Sequence, residues 1–516
     1  MKKMSKPLAL LLAGMMVFGT ACGSSNSTDS AGAAEATEST AADGTVATDT
    51  SVVIGQSSEV ANLNPLIQPR TPDSNVQNMI FSYLVVPNEE LNYEGDLADS
   101  WDISDDGTVY TFHLKEGVKW HDGEDFTADD VVFTLTSLAD PNYNGGADGR
   151  VMSIAGAADY QAGNADSVSG IKKVDDYTVE ITLESANAAF LSNMYTCILP
   201  KHILEGEDPG EWGNDDFNRA PIGTGKYKFV EWKSGQYITL ERNDDYYGTK
   251  PSIQNVTVQF GDDTTLTAAL LNGEIDVLYN LPSAEVENVE AMDGVSDYKY
   301  EQLTVTYIGL NQLTESLSDL RVRQALAYGI DKQAIINTVY GDGNAYVCDD
   351  VFPSNHWSHS DNVTVYDYDP AKSKELLEEA GYTMNDATGY YEKDGKTLHL
   401  TYDMSTSTDG KAVAALIQQW KAIGVEMEVI EQDFATLAYT KLLPGEATEE
   451  TTGDSFQCYT LGFGVEADPN EYNEYFSTST GAGSWNFIHY SNPEVDQLFK
   501  DQLLLTERNA STKSQI

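Results

Sequence analysis

The chain has 516 residues, 41% hydrophobic and 10% aromatic, which supports packed globular lobes and excludes a largely disordered protein. That length exceeds what one hydrophobic core serves, so two or more lobes are expected. With 30 Lys and Arg against 82 Asp and Glu, the formal net charge is −52, which argues against a nucleic-acid partner because phosphates would be repelled.

The first residues carry an export signal. Lys2, Lys3 and Lys6 precede an apolar run, Leu8 to Phe18, too short to span a bilayer. Gly19-Thr20-Ala21 then places small residues directly before Cys22, which resembles the lipobox of bacterial lipoproteins, where that Cys is lipidated after cleavage. The departure is Gly19, where an aliphatic residue is usual; the other reading is an ordinary signal peptide cut near Ala21. We therefore expect residues 1–21 to be a signal peptide and residues 22–51 a lipidated Cys followed by a flexible tether. Gly23 to Ser51 has no aromatic, Lys or Arg and cannot bury enough apolar area to offset its ordering entropy. No later segment is apolar for long enough to be a transmembrane helix. Cys197, Cys348 and Cys458 are far apart and show no C-x-x-C spacing, so neither a metal cluster nor any cofactor is expected. Cys348 with Cys458 is one conceivable bridge; buried free thiols are the alternative.

From Val52 onward the pattern is ordered. Ser51 to Gly55 reads as a strand. Val109 to Leu114 alternates, putting Tyr110, Phe112 and Leu114 on one face, after a turn at Asp105-Asp106-Gly107. Thr127 followed by Asp129 and Asp130 starts a helix that runs to Leu135. Tyr237 to Arg242 and Val256 to Phe260 are strands, Thr264 to Leu271 a helix, and Ile275 to Leu278 a short buried strand. A new unit starts near Thr304 with the strand Val305 to Leu310, then a helix capped by Asp319. Asp369-Pro370 opens another helix, with Leu376, Leu377 and Ala380 inward and Gly381 closing it. Val413 to Trp420 is helical, and Val425, Met427 and Val429 share a strand face, so this unit is α/β.

Several of these stretches together resemble a known signature. They are Leu97-Ala98-Asp99-Ser100-Trp101, Asp106-Gly107, Tyr110 to Glu124 with its Trp120-His121-Asp122-Gly123, and Thr127 to Val131. Pro221 to Tyr227, Asn272 to Asp276, Leu320 to Leu326 with Ile330-Asp331, and Asp468-Pro469 follow in the same order. The set resembles the peptide-binding family, family 5, of bacterial extracytoplasmic solute-binding proteins of ABC importers, over roughly residues 52–505. Read on their own, Trp120 to Gly123 is a structural turn rather than a catalytic His–Asp pair, and Gly223-Thr224-Gly225 is a tight turn rather than a phosphate loop. Arg321 and Arg323 read as caps and braces. No H-E-x-x-H or G-x-S-x-G motif occurs, so an enzyme is not expected; a secreted carboxylate-dependent hydrolase is the distant alternative.

The resemblance implies an α/β, two-lobe, periplasmic-binding-protein-like fold of type II, cluster C, with an extra subdomain in lobe I. Lobe I would comprise residues 52–92 and 220–303, the subdomain 93–219, and lobe II 304–516. Family members return to lobe I at their C-terminus; this sequence stops at Ile516, so the expectation is a chain cut short before that return. The implied function is capture of di- or oligopeptides in an interlobe cleft and delivery to a permease pair with its ATPases. The protein would be a monomer held at the extracytoplasmic membrane face, in the periplasm if the host has an outer membrane. A non-peptide ligand (nickel complex, opine, oligosaccharide) is the alternative. Carried over position by position, the ligand-facing residues are Gln68, Arg70, Thr71 and Asn78, then Tyr279 and Asn280, then Tyr307 at the lobe crossing. From lobe II come Phe463, Gly464, Glu466 and Asp468. In peptide-binding relatives an Asp near here takes the ligand's α-ammonium; here Gly464-Val465-Glu466-Ala467 lacks it, leaving Glu466 or Asp468.

Overall fold

A computed structural model describes residues 50–67, 70–281, 285–341, 343–406, 408, 410–434, 436–442, 456–469 and 486–504. The strand Ser51–Gln56 lies between Asn255–Phe260 and Val277–Leu278, parallel to both. Tyr237–Arg242 and Tyr227–Lys233 complete this five-stranded sheet antiparallel, and Ile238, Leu240, Val256 and Val258 point into the core. The helix Asp263–Leu271 follows, started by Asp262, whose carboxylate accepts the N–H of Thr265.

One expectation needs correction here. Only Val277–Leu278 pairs as a strand, and the burial falls on Ile275 while Val277 is exposed. The reason is Asp276. Its carboxylate accepts the N–H of Val53 at 2.8 Å and its own N–H donates to the Val53 carbonyl at 2.8 Å. These two bonds clip the chain to the sheet edge before ladder pairing begins.

The second sheet is antiparallel, in the order Ala98–Ile103, Val109–Leu114, Thr178–Thr182, Ile171–Asp175. Tyr110, Phe112 and Leu114 are buried on one face, as their alternation predicts. The helix Ala128–Leu138 packs on this sheet. Its capping box is complete: Thr127 accepts from the Asp129 N–H, and the Asp130 carboxylate accepts from the Thr127 N–H. One continuous core joins the first and second sheets through Ile54, Val76, Phe112, Leu135, Ile238 and Val256.

A separate core holds Leu326, Leu377, Tyr402 and Trp420. Here the sheet order is Thr304–Leu310, Cys458–Gly464, His399–Ser405, Glu426–Gln432, antiparallel at the first pair and parallel afterwards. The helices Leu320–Tyr328, Pro370–Glu379 and Gly410–Ala422 pack in this core through Val322, Leu377 and Trp420, whose indole donates to the Leu326 carbonyl. Asp319 and Asp369 cap the first two. Arg321 and Arg323 brace the start of Leu320–Tyr328 through Asp319 and the carbonyls of Leu317 and Ser318, and Arg321 also bonds the Glu379 carbonyl at the end of Pro370–Glu379. Two cores give the two-lobe α/β fold that the sequence motifs imply. Cys197 and Cys458 are buried free thiols, and Cys348 is a half-buried one.

Candidate functional site

The lobe II wall starts at a strand pair. Thr304–Leu310 runs antiparallel to Cys458–Gly464 with Val305 opposite Phe463 and Tyr307 opposite Leu461. Tyr307 and Phe463 are thus diagonal neighbours, with ring centroids 5.3 Å apart, and Tyr307 meets Tyr459 edge-on at 5.9 Å. Burial raises the Tyr307 phenol above its ordinary value, so it stays neutral.

Past Gly464 the chain is strapped in place. The N–H of Val465 donates to the Leu303 carbonyl at 2.6 Å. His356 Nε2 bonds the Glu466 carbonyl at 3.0 Å, and Trp357 Nε1 donates to the Ala467 carbonyl at 2.7 Å. The backbone is fixed, while the Glu466 side chain stands exposed and Asp468 is buried.

The charges of these acids reach aromatic residues of the lobe I side. The Tyr195 phenol is raised by burial and, among further causes, by the charge of Glu466. Tyr110 is pushed up to about 12 by burial and then by the charge of Asp468. The Ala188 N–H donates to the Leu503 carbonyl at 2.8 Å, tying the subdomain to the helix Pro493–Leu503. Tyr195 stacks on Tyr83 at 4.3 Å, and the Tyr83 hydroxyl donates to Asn78 Oδ1. Asn78 is therefore linked through two tyrosines to the neighbourhood of Glu466.

The remaining lobe I candidates meet at the carboxyl end of the strand Ser51–Gln56. Tyr279 N–H reaches the Gly55 carbonyl at 3.4 Å, and Gln56 Nε2 donates to the Pro72 carbonyl at 3.2 Å. Carboxyl ends of strands are where open α/β sheets place ligands. Tyr279 and Asn280 are exposed, with Asn280 in the left-handed region at φ 57°. Thr71 is the first residue of the helix Thr71–Ile80. Arg70 is already engaged: it pairs with the fully buried Asp73 carboxylate at 3.0 Å and donates to the Glu59 carbonyl at 2.9 Å. Gln68 and Cys22 lie outside the described residues.

The structure thus gathers Tyr307, Phe463, Gly464, Glu466 and Asp468 at one strand end and Arg70, Thr71, Tyr279 and Asn280 around another, while Asn78 is bonded to Tyr83. Sequence reasoning missed Tyr83 and Tyr195, and it missed His356 and Trp357 as the strap. None of the four stands in a motif that would have singled it out. Among the described residues no group of three or more His, Cys, Asp or Glu side chains is placed to hold a metal ion, and no helix is long and apolar enough to cross a membrane.

The model of the bacterial extracellular solute-binding proteins, family 5 Middle, matches residues 92–484. The oligopeptide-binding protein AppA of Bacillus subtilis is 31% identical over 472 residues, which cover 90% of this chain and 82% of AppA. The structure of AppA from Bacillus subtilis in complex with a nonapeptide superposes with a TM-score of 0.71, at 29% identity and 90% coverage of both chains. NikZ from Campylobacter jejuni, in complex with Ni(L-His), gives a TM-score of 0.72 at 28% identity, covering 90% of this chain and 88% of NikZ.

Proposed function

The chain belongs to family 5 of the bacterial extracellular solute-binding proteins, and on that premise we propose that it captures peptides in the cleft between its lobes and hands them to an ABC permease. The observation that carries the reading is that the charges of Glu466 and Asp468, on the lobe II side, act on the phenols of Tyr195 and Tyr110, on the lobe I side. An extended peptide suits such a cleft, because its backbone can be matched by strand-like pairing whatever its side chains. Glu466, standing exposed beside Tyr195, supplies the negative charge for the ligand's ammonium group, with Asp468 as the alternative. Arg70, Thr71, Asn78, Tyr279 and Asn280 form the opposing wall, and Tyr307 with Phe463 the floor at the crossing. The ligand leaves unchanged, since nothing in this role calls for catalysis.

Lobe I in this reading is residues 52–92 and 220–303 with the subdomain 93–219, and lobe II starts at 304. The lobes close on ligand through the crossing at Thr304 to Tyr307, by preferential binding to the closed form. Small-angle scattering checks this: saturating peptide should shrink the radius of gyration, and an unchanged profile with bound peptide contradicts closure. The protein acts as a monomer, tethered by a lipid on Cys22.

Native mass spectrometry of the protein purified from its own host tests the ligand class directly. Co-purifying masses that fragment as peptides support the reading. A metal–amino-acid complex in their place, as NikZ holds, would move it to the second class.

A further inference from the structure

We propose that His356 and Trp357 are positioning residues for ligand binding: they hold the turn from Glu466 to Asp468 ready for the ligand's ammonium group and tie it to the lobe crossing. The inference rests on the peptide-binding reading above. Three consecutive side chains make the same kind of bond. Asn355 Nδ2 donates to the Glu301 carbonyl at 3.1 Å, His356 Nε2 to the Glu466 carbonyl at 3.0 Å, and Trp357 Nε1 to the Ala467 carbonyl at 2.7 Å. The first acceptor lies on the chain that enters the crossing strand at Thr304. The other two belong to one acid, Glu466, and to the residue between it and Asp468, so the seat serves whichever acid takes the ligand.

The strap is itself built to stay put. The Ser358 N–H donates to His356 Nδ1 at 3.1 Å, so the ring proton stands on Nε2, where the Glu466 carbonyl accepts it. The His356 ring is buried and lies nearly parallel to Phe352, with centroids 5.0 Å apart and planes 15° apart. Phe352 packs in turn with Val305 of the crossing strand and with Val465 at the entry to the turn. The segment is closed on itself as well: His359 Nδ1 donates to the Phe352 carbonyl at 2.8 Å, and the Ser360 N–H to Asp350 Oδ2 at 2.7 Å.

This arrangement serves affinity. Glu466 is exposed, so its carboxylate is placed by its backbone rather than by packing around the side chain. A backbone fixed before the ligand arrives spares the ordering entropy that a loose turn would lose on binding. The bond from Asn355 to the chain before Thr304 makes the crossing and the seat move as one piece when the lobes close. His356 and Trp357 act through the main chain, so the donor group matters and the ring alone does not.

The test uses the full chain with the peptide Ala-Ala-Phe-Ala-Ala and its N-acetylated form. Both are titrated by calorimetry into the parent, His356→Phe, His356→Gln and Trp357→Phe. His356→Phe keeps a ring beside Phe352 and removes the donor, while His356→Gln returns an N–H donor. Trp357→Phe repeats the removal at the second bond, so that one variant decides if the other does not fold. We expect His356→Phe and Trp357→Phe each to bind the free peptide about five- to tenfold more weakly, the loss that one hydrogen bond implies, with less than about twofold change for the acetylated peptide. His356→Gln should restore the parent's preference for the free peptide to within about twofold. Equal losses for both peptides in both donor-less variants would make the strap a purely structural element and overturn the inference. Parent-like binding of the free peptide by both would overturn it too, and either outcome leaves the peptide reading standing. A parent that binds both peptides alike removes the ammonium anchor and this inference with it; a parent that binds neither removes the peptide reading as a whole.

Discussion

His121 Nε2 is hydrogen-bonded to the carbonyl oxygen of Gly225 at 3.1 Å, across a sequence separation of 104 residues. The Gly223 N–H donates to Nδ1 at 3.3 Å, so the ring is neutral with its proton on Nε2. The imidazole thereby clamps the turn that joins the subdomain back to the first sheet. Gly223 is required there: a Cβ would lie 2.0 Å from the Ile80 carbonyl oxygen.

That clamp has a pH signature. Burial pushes the His121 pKa from 6.5 down to about 4. The unfolded chain therefore binds a proton between these values that the folded chain refuses, and stability rises with pH across that window. Above pH 6.5 the group adds no pH dependence. The loss from this group should reach on the order of 3 kcal/mol by the time pH falls to about 4. Urea unfolding of the parent and His121→Gln at pH 7 and pH 4.5 checks this. The parent should lose more stability than the variant on acidification; equal losses contradict the clamp.

A second prediction concerns lobe II. Asp403 has a fully buried side chain held by Lys441 and by Gln432 Nε2 at 3.1 Å, while its Oδ2 has no hydrogen-bond partner among the described residues. Burial raises this carboxyl despite the lysine. Lys441→Met leaves the carboxylate without its counter-charge and should destabilise the protein by roughly 3 kcal/mol. The double variant with Asp403→Asn should recover most of that loss. Equal stability of Lys441→Met and the parent in denaturant titration counts against the pair.

Local pattern carried much of the fold, and long-range contact carried the part that pattern missed. Val109–Leu114 was legible because period-two alternation states which face is buried, and Ala128–Leu138 because Thr127 and Asp130 write a capping box into four residues. The stacking of Tyr83 on Tyr195 joins residues 112 apart that share no local pattern. The straps from His356 and Trp357 to Glu466 and Ala467 each span 110 residues and end on carbonyl groups, which leave no trace in side-chain identity. The buried strand expected over Ile275 to Leu278 failed at Val277 because Asp276 bonds the sheet edge through its side chain, an effect hydrophobicity does not record.

The third prediction is the anchor. If Cys22 is lipidated, Cys22→Ala should move the protein from the membrane fraction to the soluble one and abolish incorporation of labelled fatty acid. Unchanged membrane attachment contradicts the anchor and leaves the ordinary signal peptide.

The central claim is that the cleft holds a peptide by its ammonium group through Glu466. Titration calorimetry of the parent, Glu466→Gln and Asp468→Asn, each with a free peptide and its N-acetylated form, tests it most directly. Removing one partner of a charge pair buried on closure costs about 2–5 kcal/mol, or roughly 30-fold to several-thousand-fold in affinity. The account predicts a loss of that size for Glu466→Gln with the free peptide, and little further loss when the acetylated peptide meets that variant. A Glu466→Gln and an Asp468→Asn that both bind like the parent, with acetylation making no difference, would contradict it.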